Sequence, residues 1–397
     1  MKITTNEQLI EEVLTRGVAE VIDREDLKKK LLSGKKLRIK LGIDPTSPNL
    51  HIGRAVNLLK LRDFQDLGHQ VIFMIGDFTG IIGDTSDKES ERPMLDAKVV
   101  KKNMKDYLKQ AGKILDLKKV EFCKNSRWLK KLTYAEIGEQ ANLFSVAEFI
   151  ARENIRKRLD DGKRVSLREM IYPLMQGYDS VALKADVELG GTDQRFNLLA
   201  GRTMQPHYGQ TAQNIVMSNL ILGTDGRKMS SSWGNTINLT DEPDDMFGKV
   251  MSIPDDLIPV YFEHCTRVPM DEVRTTIEKS SNPRDAKLVL AMAITTLYHG
   301  EKKASAAREK FVATFSNKET PTDIPQIHMK KSEAGLLEVL QACFGKEKSG
   351  SELRRLIQQG SVKVNGKAVN NAMQSILLSD TPLVIKVGKR SWFSVVK

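Results

Sequence analysis

Short apolar runs alternate with amphipathic segments along the first part of the chain. The runs LRIKLGID (37–44) and QVIFMIGD (70–77) have the composition of buried strands, and the segment 50–67 between them spaces its apolar residues as on one helix face. This order predicts parallel strands joined by a right-handed crossover. Further strand-like runs follow, and the whole pattern predicts a Rossmann-like parallel-sheet domain of α/β class over 1–235.

Three other regions have different patterns. Residues 95–170 are rich in charge and in paired lysines, which predicts a helical insertion rather than more sheet. Long helical periods over 236–325 predict an all-α domain, and the polar, proline-bearing stretch 317–333 is the expected linker. Residues 332–397 hold a short basic helix, an Asn-Gly turn and two final strands, which predict a small α+β domain.

The charge of the chain indicates polyanionic partners. The formal net charge is +11, and residues 331–397 alone contain 11 basic and 5 acidic residues. A solvated surface explains many lysine-rich helices, so charge by itself does not establish nucleic-acid binding. With 397 residues, 40% of them hydrophobic and 28% charged, the chain has the composition of a globular protein of two or three domains.

Cysteines and long apolar runs are sparse. Cys123, Cys265 and Cys343 lie far apart, which argues against a zinc site or a disulfide framework and favours a reducing compartment. No apolar run approaches the roughly 18 residues that span a bilayer, and the N-terminal segment lacks the apolar core of a signal peptide. We therefore expect a cytoplasmic protein that contacts no membrane.

The stretch GIDPTSPNLHIGR (42–54) lies where the first strand ends and a helix begins. Open parallel sheets bind ligands at this edge, and Asn49 is a suitable N-cap that would place His51 in the first helical turn, where free N–H groups favour anions. Thr46 and His51 can donate hydrogen bonds to a phosphate, and Gly53 leaves room for a flat ring against the backbone. The simpler alternative is a buried helix start with a satisfied histidine.

A second motif, GTDGRKMSSSWGN (223–235), combines glycines, two cations and three serines in a loop after an apolar strand. Such a loop can close over a polyphosphate, with Lys228 supplying charge and the serines supplying hydrogen bonds. The GxxxxGK[ST] pattern of a P-loop is absent from the sequence. An ordinary Gly/Ser surface loop is the alternative, but it leaves the adjacent Arg227 and Lys228 unexplained.

Together, HIGR (51–54) and KMSSS (228–232) resemble the HIGH and KMSKS signatures of class I aminoacyl-tRNA synthetases. Two stretches between them, GHQVIFMIGDFTGIIGD (68–84) and YPLMQGYDSVALKADVELGGTDQRFNLLAGR (172–202), are similar to bacterial tyrosyl-tRNA synthetases, and the resemblance covers essentially the whole chain. It implies ATP-dependent activation of L-tyrosine to tyrosyl-adenylate, followed by transfer to the 3′ end of tRNA(Tyr). It also implies Mg²⁺ carried by the ATP phosphates, no protein-only metal site, no DNA partner, and a homodimer with its interface around 120–165.

Within YPLMQGYD, Tyr172, Gln176 and Asp179 share one helix face and form a polar stripe on an otherwise apolar segment. Buried polar groups need partners, which a ligand with a hydroxyl, an ammonium and a carboxylate would supply; an internal polar network without a ligand is the alternative. By resemblance, Asp179 accepts the phenol proton of tyrosine, a contact of the kind that rejects phenylalanine. The resemblance places Tyr172, Gln176 and Asp84 at the α-ammonium and Gln194 near the carboxylate.

The resemblance divides the nucleotide contacts among the two motifs and the segment GDTSDKESERPML (83–95). The residues implied in ATP binding are Asp44, Gly53, Arg54, Asp193, Arg227, Lys228, Ser230 and Ser231, with Asp193 near the ribose. The residues implied in stabilising the transition state and the leaving pyrophosphate are Thr46, His51, Lys88, Arg92 and Lys228. Phosphoryl transfer needs little covalent help, so positioning and cations would supply most of the catalysis.

Four positions depart from the family pattern. Arg54 replaces the final histidine of HIGH, and Ser231 replaces the second lysine of KMSKS. Thr85 and Asp87 stand where the family has proline and glycine. Lys40 occupies a strand position that holds a phenol-binding tyrosine in one branch of the family. Its lysine resembles that of the sister bacterial branch, which indicates a branch difference rather than lost specificity, and what completes the phenol site from this strand stays open. We hypothesise that Arg54 contacts the nucleotide and partly replaces the missing lysine.

The C-terminal unit resembles a small RNA-binding domain shared with a ribosomal small-subunit protein. The residues implied in RNA binding are Arg354, Arg355, Lys363 and Lys367, which would follow the RNA backbone rather than read bases. The helices over 236–325 would then approach the anticodon stem. An unrelated basic fold is the alternative.

Two other functions stay open at this point. One is an enzyme that activates tyrosine but passes it to a carrier or a small molecule, against which the basic C-terminal unit argues. The other is a non-catalytic RNA-binding regulator, against which the retained His51, Asp84, Asp179, Asp193 and Lys228 argue. The tryptophanyl-tRNA synthetases are the nearest related family, but they lack such a C-terminal unit and the YxxxQxxD arrangement.

Overall fold

A computed structural model of the chain describes residues 3–85, 93–280, 282–316, 324–345, 347–379, 381–388 and 391–397. Two compact units form, Met1–Ser305 and Ala306–Lys397. The expectations for Asp87, Lys88 and Arg92, and for the first part of the linker, fall outside the described residues. The finer division into domains at 1–235, 236–325 and 332–397 stays a prediction.

The first unit contains a six-stranded sheet. Its strands are β1 (Val18–Ile22), β2 (Arg38–Ile43), β3 (Gln70–Ile75), β4 (Val120–Lys124), β5 (Val187–Gly191) and β6 (Asn214–Ser218). Their order in the sheet is β1–β6–β5–β2–β3–β4, and every neighbouring pair is parallel except β1 with β6. The predicted parallel pair is thus confirmed as β2 and β3, and with it the Rossmann-like α/β class.

Helices cover the sheet and continue beyond it. Around the sheet they are α1 (Glu7–Thr15), α2 (Arg24–Leu32), α3 (Ile52–Asp66), α4 (Thr79–Ile82), α5 (Ala97–Asn103), α6 (Tyr107–Ala111), α7 (Ser126–Leu129), α8 (Tyr134–Ala141), α9 (Val146–Ile150), α10 (Glu153–Asp160), α11 (Leu167–Leu183) and α12 (Arg195–His207). They are followed by α13 (Pro243–Met251), α14 (Ile258–Cys265), α15 (Met270–Lys279), α16 (Pro283–His299) and α17 (Glu301–Ser316). The helical character expected after residue 236 is therefore present. Among the described residues, none of these helices combines the length and apolar character needed to cross a bilayer.

Helix α3 begins later than the local sequence predicts. Its N-cap is His51, not Asn49, and the His51 side chain makes no capping hydrogen bond. The backbone of His51 instead forms an antiparallel bridge with Asn238, and the N–H of Ile52 donates to the carbonyl of Ile237. This pairing with a distant segment fixes the start of the helix, which a reading of nearby residues cannot detect.

Strand β4 interrupts the region expected to be a purely helical insertion. It pairs in parallel with β3 and forms one edge of the sheet, so the expectation of helices without sheet over 95–170 is wrong at 120–124. Cys123 of this strand is buried in a cluster with Ile72, Met74 and Leu183. Lysines directly before the strand and at its last position make its short apolar stretch hard to recognise in the sequence.

The second unit is a small α+β structure, as predicted. Its strands are β7 (Gln326–His328), β8 (Glu333–Gly335), β9 (Val362–Val364), β10 (Lys367–Val369), β11 (Ser375–Leu377), β12 (Leu383–Val387) and β13 (Ser391–Val396), and its helices after α17 are α18 (Leu336–Phe344) and α19 (Gly350–Gln358). Five strands form a sheet in the order β10–β9–β12–β13–β7. At the β9–β10 turn, Asn365 and Gly366 both have positive φ, of 44° and 80°, as the Asn-Gly hairpin signal predicts.

Candidate active site

A cavity of about 580 Å³ opens at the carboxyl ends of the parallel strands in the first unit. Its walls come from the turn between β2 and α3, from one face of α11, from the end of β5 and from the loop 223–235. Open α/β sheets bind their ligands at this edge. The predicted site residues that line the cavity are Asp44, Thr46, His51, Gly53, Arg54, Asp84, Tyr172, Gln176, Asp179, Asp193, Gln194, Lys228, Ser230 and Ser231.

Three predicted residues of the site are not in this lining. Lys88 and Arg92 lie outside the described residues. Arg227 pairs with Asp225 at 2.8 Å (Nε to Oδ2), and its guanidinium stands 4.8 Å from the centre of the Trp233 ring. The expected contact of Arg227 with ATP therefore stays a prediction.

Asp179, at 1% exposure, is among the most deeply buried residues of the cavity. The indole N–H of Trp128 donates to its Oδ1 at 2.7 Å, and the side-chain amide of Asn125 donates to its Oδ2 at 3.2 Å. Burial raises the pKa of Asp179 to about 7, while Lys40 and the two hydrogen bonds act in the opposite direction. The carboxyl group is thus held in one orientation and keeps the capacity to accept a further hydrogen bond.

Trp128 and Asn125 are residues that the sequence pattern did not reveal. They lie on α7 and at its N-cap, directly after β4. Because β4 is a parallel strand at the sheet edge, its carboxyl end opens toward the same side as the ends of β2 and β3. The sequence would have identified these two residues only if β4 had been recognised as a strand.

The hydroxyl of Tyr172 donates to Asp44 Oδ2 at 2.9 Å, which links α11 to the end of β2. Thr79 donates to the other oxygen of Asp44 at 2.7 Å. A side chain at Gly76 would prevent this arrangement, because its Cβ would stand 1.9 Å from Asp44 Oδ1. Burial raises the pKa of Asp44 to about 6, and the two hydrogen bonds oppose that rise.

Asp84 and Gln194 lie side by side in the cavity. The amide of Gln194 donates to Asp84 Oδ2 at 2.8 Å, and its carbonyl oxygen accepts from Asn197 at 2.9 Å. The two residues come from segments 110 positions apart, after β3 and after β5 respectively. Two side chains that the family resemblance implies in tyrosine binding are therefore neighbours.

His51 faces the cavity from the start of α3 and is 7% exposed. Burial lowers its pKa to about 3, and the nearby Arg54 and Lys228 add to the effect, so the imidazole is neutral near pH 7. Its Nδ1 is buried without a hydrogen-bond partner, and a Cβ at Gly53 would stand 3.1 Å from that atom. A buried ring nitrogen of this kind is a group that a ligand can satisfy.

Arg54 is held against the turn that precedes α3. Its Nη2 donates to the Thr46 hydroxyl at 2.8 Å, and its Nη1 donates to the Asp44 carbonyl and the Tyr107 hydroxyl, each at 3.3 Å. Tyr107 in turn donates to the carbonyl of Ser47 at 2.5 Å. The guanidinium is therefore fixed in the same turn as Thr46, at the wall of the cavity.

The loop 223–235 is fastened at its base by Asn235, which is 2% exposed. Its Oδ1 accepts from the N–H of Ser230 at 2.9 Å, and its Nδ2 donates to Asp225 at 2.7 Å and to the carbonyl of Lys228 at 3.1 Å. The Lys228 ammonium stands 3.2 Å from Asp193 Oδ2. Asn235 was not among the predicted residues, because only the folded loop brings it to Ser230 and Lys228.

Lys40 does not line the cavity. Its ammonium is buried beside the cavity wall and stands 2.9 Å from Glu188 Oε1. Glu188 does line the cavity, next to Gln176. Within the described ranges, His, Cys, Asp and Glu side chains do not gather in threes that could hold a metal ion.

The predicted RNA-binding cations all lie in the second unit with exposed side chains. Arg354 and Arg355 are on α19, Lys363 is on β9 and Lys367 begins β10. Lys363 is also the register partner of Lys386 on β12. Exposure of these cations is what contact with a polyanion requires.

Comparison with known proteins gives two family matches. Residues 32–316 match the model of "tRNA synthetases class I (W and Y)", and residues 344–380 match that of the S4 domain. The first match covers the whole cavity. The second covers α19, β9 and β10, where the four exposed cations lie.

Individual relatives agree with the family matches. The chain is 46% identical to the tyrosine–tRNA ligase of Carboxydothermus hydrogenoformans over 97% of each chain, and 43% identical to that of Thermotoga maritima over 99% of this chain and 98% of the relative. Solved structures with the same fold include an Aspergillus nidulans mitochondrial tyrosyl-tRNA synthetase, with a TM-score of 0.65 and 22% identity over 77% of this chain and 94% of that one. Another is an Archaeoglobus fulgidus tyrosyl-tRNA synthetase complexed with L-tyrosine, with a TM-score of 0.59 and 22% identity over 76% of this chain and 99% of that one. The chain therefore belongs to the class I tRNA synthetases of the tryptophan and tyrosine group and, within that group, to the tyrosine–tRNA ligase family.

Proposed function

We propose that this chain activates L-tyrosine with ATP and transfers it to the 3′-terminal adenosine of tRNA(Tyr). The observation that carries the proposal is that one cavity joins the polar stripe of α11 to both signature motifs. Tyr172, Gln176 and Asp179 supply groups for an amino acid with a phenol, and Thr46, His51 and Lys228 supply groups for phosphates. This combination is what the formation of an aminoacyl-adenylate requires.

Asp179 is proposed to accept the hydrogen bond of the tyrosine hydroxyl. Trp128 and Asn125 each donate to it, so its remaining lone pairs are available to one more donor. Phenylalanine would bury the carboxylate without that donor, which is the costly arrangement. Asp84, Tyr172 and Gln176 would bind the α-ammonium, with Gln194 near the carboxylate.

The nucleotide is proposed to bind between the start of α3 and the loop 223–235. A neutral His51 can donate one hydrogen bond to a phosphate oxygen, as can Thr46, and Gly53 leaves space for the adenine ring. Asp193 would bind the ribose, and its present partner Lys228 would then move to the phosphates. Mg²⁺ enters as part of the substrate MgATP and neutralises charge on the phosphates.

In the first step, an oxygen of the tyrosine carboxylate attacks the α-phosphorus of ATP. The bond between that phosphorus and the bridging oxygen breaks, and pyrophosphate leaves with the negative charge. In the second step, a hydroxyl of the terminal adenosine attacks the carbonyl carbon of the adenylate and AMP leaves. Positioning and fixed donors supply the catalysis in both steps.

Arg54 is proposed to supply part of the positive charge that the missing loop lysine supplies elsewhere in the family. Its Nη2 donates a hydrogen bond to Thr46, a residue of the proposed phosphate site. The guanidinium therefore lies next to the place where the phosphates would bind. Two further acceptors, Asp44 and Tyr107, hold it in place. A fixed cation at this point loses little conformational entropy when the nucleotide binds.

The experiment that tests the proposed function is tyrosine-dependent exchange of labelled pyrophosphate into ATP, with phenylalanine and tryptophan as controls, followed by charging of tRNA(Tyr). We expect exchange with tyrosine alone and a charged tRNA. Exchange without charging would support an enzyme that passes tyrosine to another acceptor. Absence of exchange would support the non-catalytic regulator and contradict the proposal.

The second unit is proposed to bind the tRNA backbone through Arg354, Arg355, Lys363 and Lys367. Their exposure and the S4 family match support this role. Such contacts release counterions, so binding should weaken steeply with salt. We also propose a cytoplasmic location, where ATP and tRNA are available.

A homodimer is proposed, with its interface on the helices of the 95–170 region. Large apolar side chains are exposed there: Tyr134 is 95% exposed, Leu167 84% and Val146 70%. Large apolar side chains exposed to this degree favour association. We expect Val146→Asp to shift the protein from dimer to monomer in sedimentation velocity. Met373→Asp, at an even more exposed apolar site in the second unit (89%), should leave the dimer intact. A wild-type monomer would contradict the proposal.

A further inference from the structure

Lys40 and Glu188 form a buried ion pair directly behind the proposed tyrosine site. They are register partners on the adjacent parallel strands β2 and β5, and the ammonium stands 2.9 Å from Glu188 Oε1. Lys40 is fully buried and Glu188 is 1% exposed. Sequence reasoning left open what this strand position contributes, and this pairing is the structural answer.

The pair is bonded to the turn of α11 that carries Asp179. Lys40 donates to the carbonyl of Gln176 at 3.2 Å and to the hydroxyl of Ser180 at 2.9 Å, and these two residues flank Asp179 in the sequence. The Lys40 ammonium thus has three acceptors, which match its three protons. The turn is thereby fixed to the sheet on both sides of Asp179.

Glu188 holds the same turn through side chains. Its Oε1 accepts from the Gln176 amide at 3.1 Å, and its Oε2 accepts from Ser180 at 2.8 Å and from Gln213 at 2.6 Å. The orientation of Gln176, whose side chain lines the cavity, is therefore decided by Glu188. Both charges are fully satisfied, which is what keeps such a pair tolerable inside a protein.

Stability is a weak explanation for this pair, because a buried ion pair contributes little net free energy relative to apolar residues of similar size. Another buried lysine shows the difference. Lys60 donates to the carbonyls of Val13 and Arg16 and pairs with Asp63, and none of these residues lines the cavity. Lys40 differs in that its partners include Gln176, which is proposed to bind tyrosine, and Ser180, which directly follows Asp179.

We infer that Lys40 and Glu188 are positioning residues that set the selectivity of this enzyme for tyrosine over phenylalanine. They do so by fixing Asp179 against the phenol hydroxyl and by orienting Gln176. The inference rests on the proposed function, since it names what determines the substrate choice of that site.

The electrostatic effect of the pair on Asp179 agrees with this role. Lys40 lowers the pKa of Asp179 and Glu188 raises it, while burial has the largest effect and raises it. With both partners present, Glu188 offsets part of the effect of Lys40 on the pKa of Asp179. Removal of either one leaves a single charge facing that carboxyl group in a poorly solvated place, which changes both its protonation and its position.

The test compares three variants, Glu188→Gln, Lys40→Met and the double variant Lys40→Met/Glu188→Gln, with the wild type and with Lys60→Met as the matched buried-lysine control. Pyrophosphate exchange gives kcat and KM for tyrosine and for phenylalanine, and the ratio of the two kcat/KM values measures selectivity. In Glu188→Gln one carboxylate oxygen becomes an NH2 group, which then faces either Lys40 and Gln176 or Ser180 and Gln213, the groups that donate to that oxygen in the wild type. We expect the tyrosine-to-phenylalanine ratio to fall about tenfold or more in each of the three variants, mainly through a raised KM for tyrosine, and to be unchanged in Lys60→Met.

A fall of less than tenfold in folded Glu188→Gln overturns the inference, and so does an equal fall in Lys60→Met. Glu188→Gln is nearly isosteric and carries the test if Lys40→Met does not fold. Absence of tyrosine-dependent exchange in the wild type would instead reject the proposed function itself, so the two failures are distinguishable.

Discussion

Burial sets the charge of the ionisable residues in the cavity. It raises the pKa of Asp179 to about 7 and that of Asp44 to about 6, and it lowers the pKa of His51 to about 3. Each shift favours the neutral form, because a cavity wall solvates charge less well than water does. At neutral pH His51 is therefore a hydrogen-bonding group rather than a cation, and Asp179 is close to the midpoint of its titration.

The titration of Asp179 gives a pH prediction. Because its pKa is raised, the carboxyl is protonated below about pH 7 and ionised above. The ionised form accepts the phenol hydroxyl in a stronger, charge-assisted hydrogen bond, beside those from Trp128 and Asn125. We expect kcat/KM for tyrosine in pyrophosphate exchange to rise with pH through an inflection near 7. The inflection should vanish in Asp179→Asn, while the contribution of Asp44 near pH 6 remains. An unchanged profile in Asp179→Asn would contradict this assignment.

Arg54 gives a second prediction at this scale. Arg54→Ala removes a cation that is bonded to Thr46, so we expect kcat/KM for ATP to fall by about 10- to 100-fold, with little change in KM for tyrosine. Arg62→Ala is the matched control, because Arg62 lies on the same helix but pairs with Asp66 at its exposed face. Equal ATP kinetics in Arg54→Ala and the wild type would show that this guanidinium does not contact the nucleotide.

At the scale of elements, α11 illustrates what local sequence can predict. The spacing of Tyr172, Gln176 and Asp179 indicates one helix face, and the helix forms over Leu167–Leu183 with all three residues at the cavity. It does so with Pro173 inside it, which local propensity disfavours. The sequence prediction misplaced the start of α3, because a long-range backbone bridge at His51 overrides the better local cap.

The conformation of the loop 223–235 depends on one residue that the sequence patterns did not predict, Asn235. Asn235→Ala removes the bonds that hold Ser230, Asp225 and Lys228 together. We expect a loss of about 1–3 kcal/mol in the free energy of unfolding and a lower kcat for pyrophosphate exchange, because Lys228 loses its defined position. Chemical denaturation and exchange kinetics measure the two effects.

Asn238→Ala is the control for that prediction. Asn238 lies three residues further on and its side chain contacts Asp241, outside the loop. We expect its kcat to stay near the wild-type value. A kcat of Asn235→Ala equal to that of the control would mean that the loop keeps its active geometry without the Asn235 side chain.

At the scale of the whole molecule, the two units separate two kinds of chemistry. The cavity and both signature motifs lie within Met1–Ser305, whereas the four predicted RNA-binding cations lie within Ala306–Lys397. Activation of tyrosine and attachment to tRNA should therefore respond differently to changes in each unit.

We expect the double variant Arg354→Ala/Arg355→Ala to raise KM for tRNA in the charging assay and to leave pyrophosphate exchange unchanged. The slope of log affinity against log salt should become shallower by about one unit per arginine. Lys118→Ala/Lys119→Ala removes two adjacent exposed cations from the first unit and is the charge-matched control. A loss of exchange activity in the arginine variant, or an equal change in the control, would contradict a backbone-binding role for α19.

The patterns and motifs of the sequence are sufficient to predict the class of fold, the family and fourteen of the residues that line the cavity. The periodicity of apolar residues identifies strands and helices because it reflects which face is buried. Motifs such as HIGR and KMSSS can be recognised directly because each is a short continuous segment. Tertiary structure alone decided the start of α3, the strand β4, and the placement of Trp128, Asn125 and Asn235. It also decided that Lys40 pairs with Glu188, 148 residues away, because register between non-consecutive strands is a property of the folded sheet and leaves no mark in local sequence.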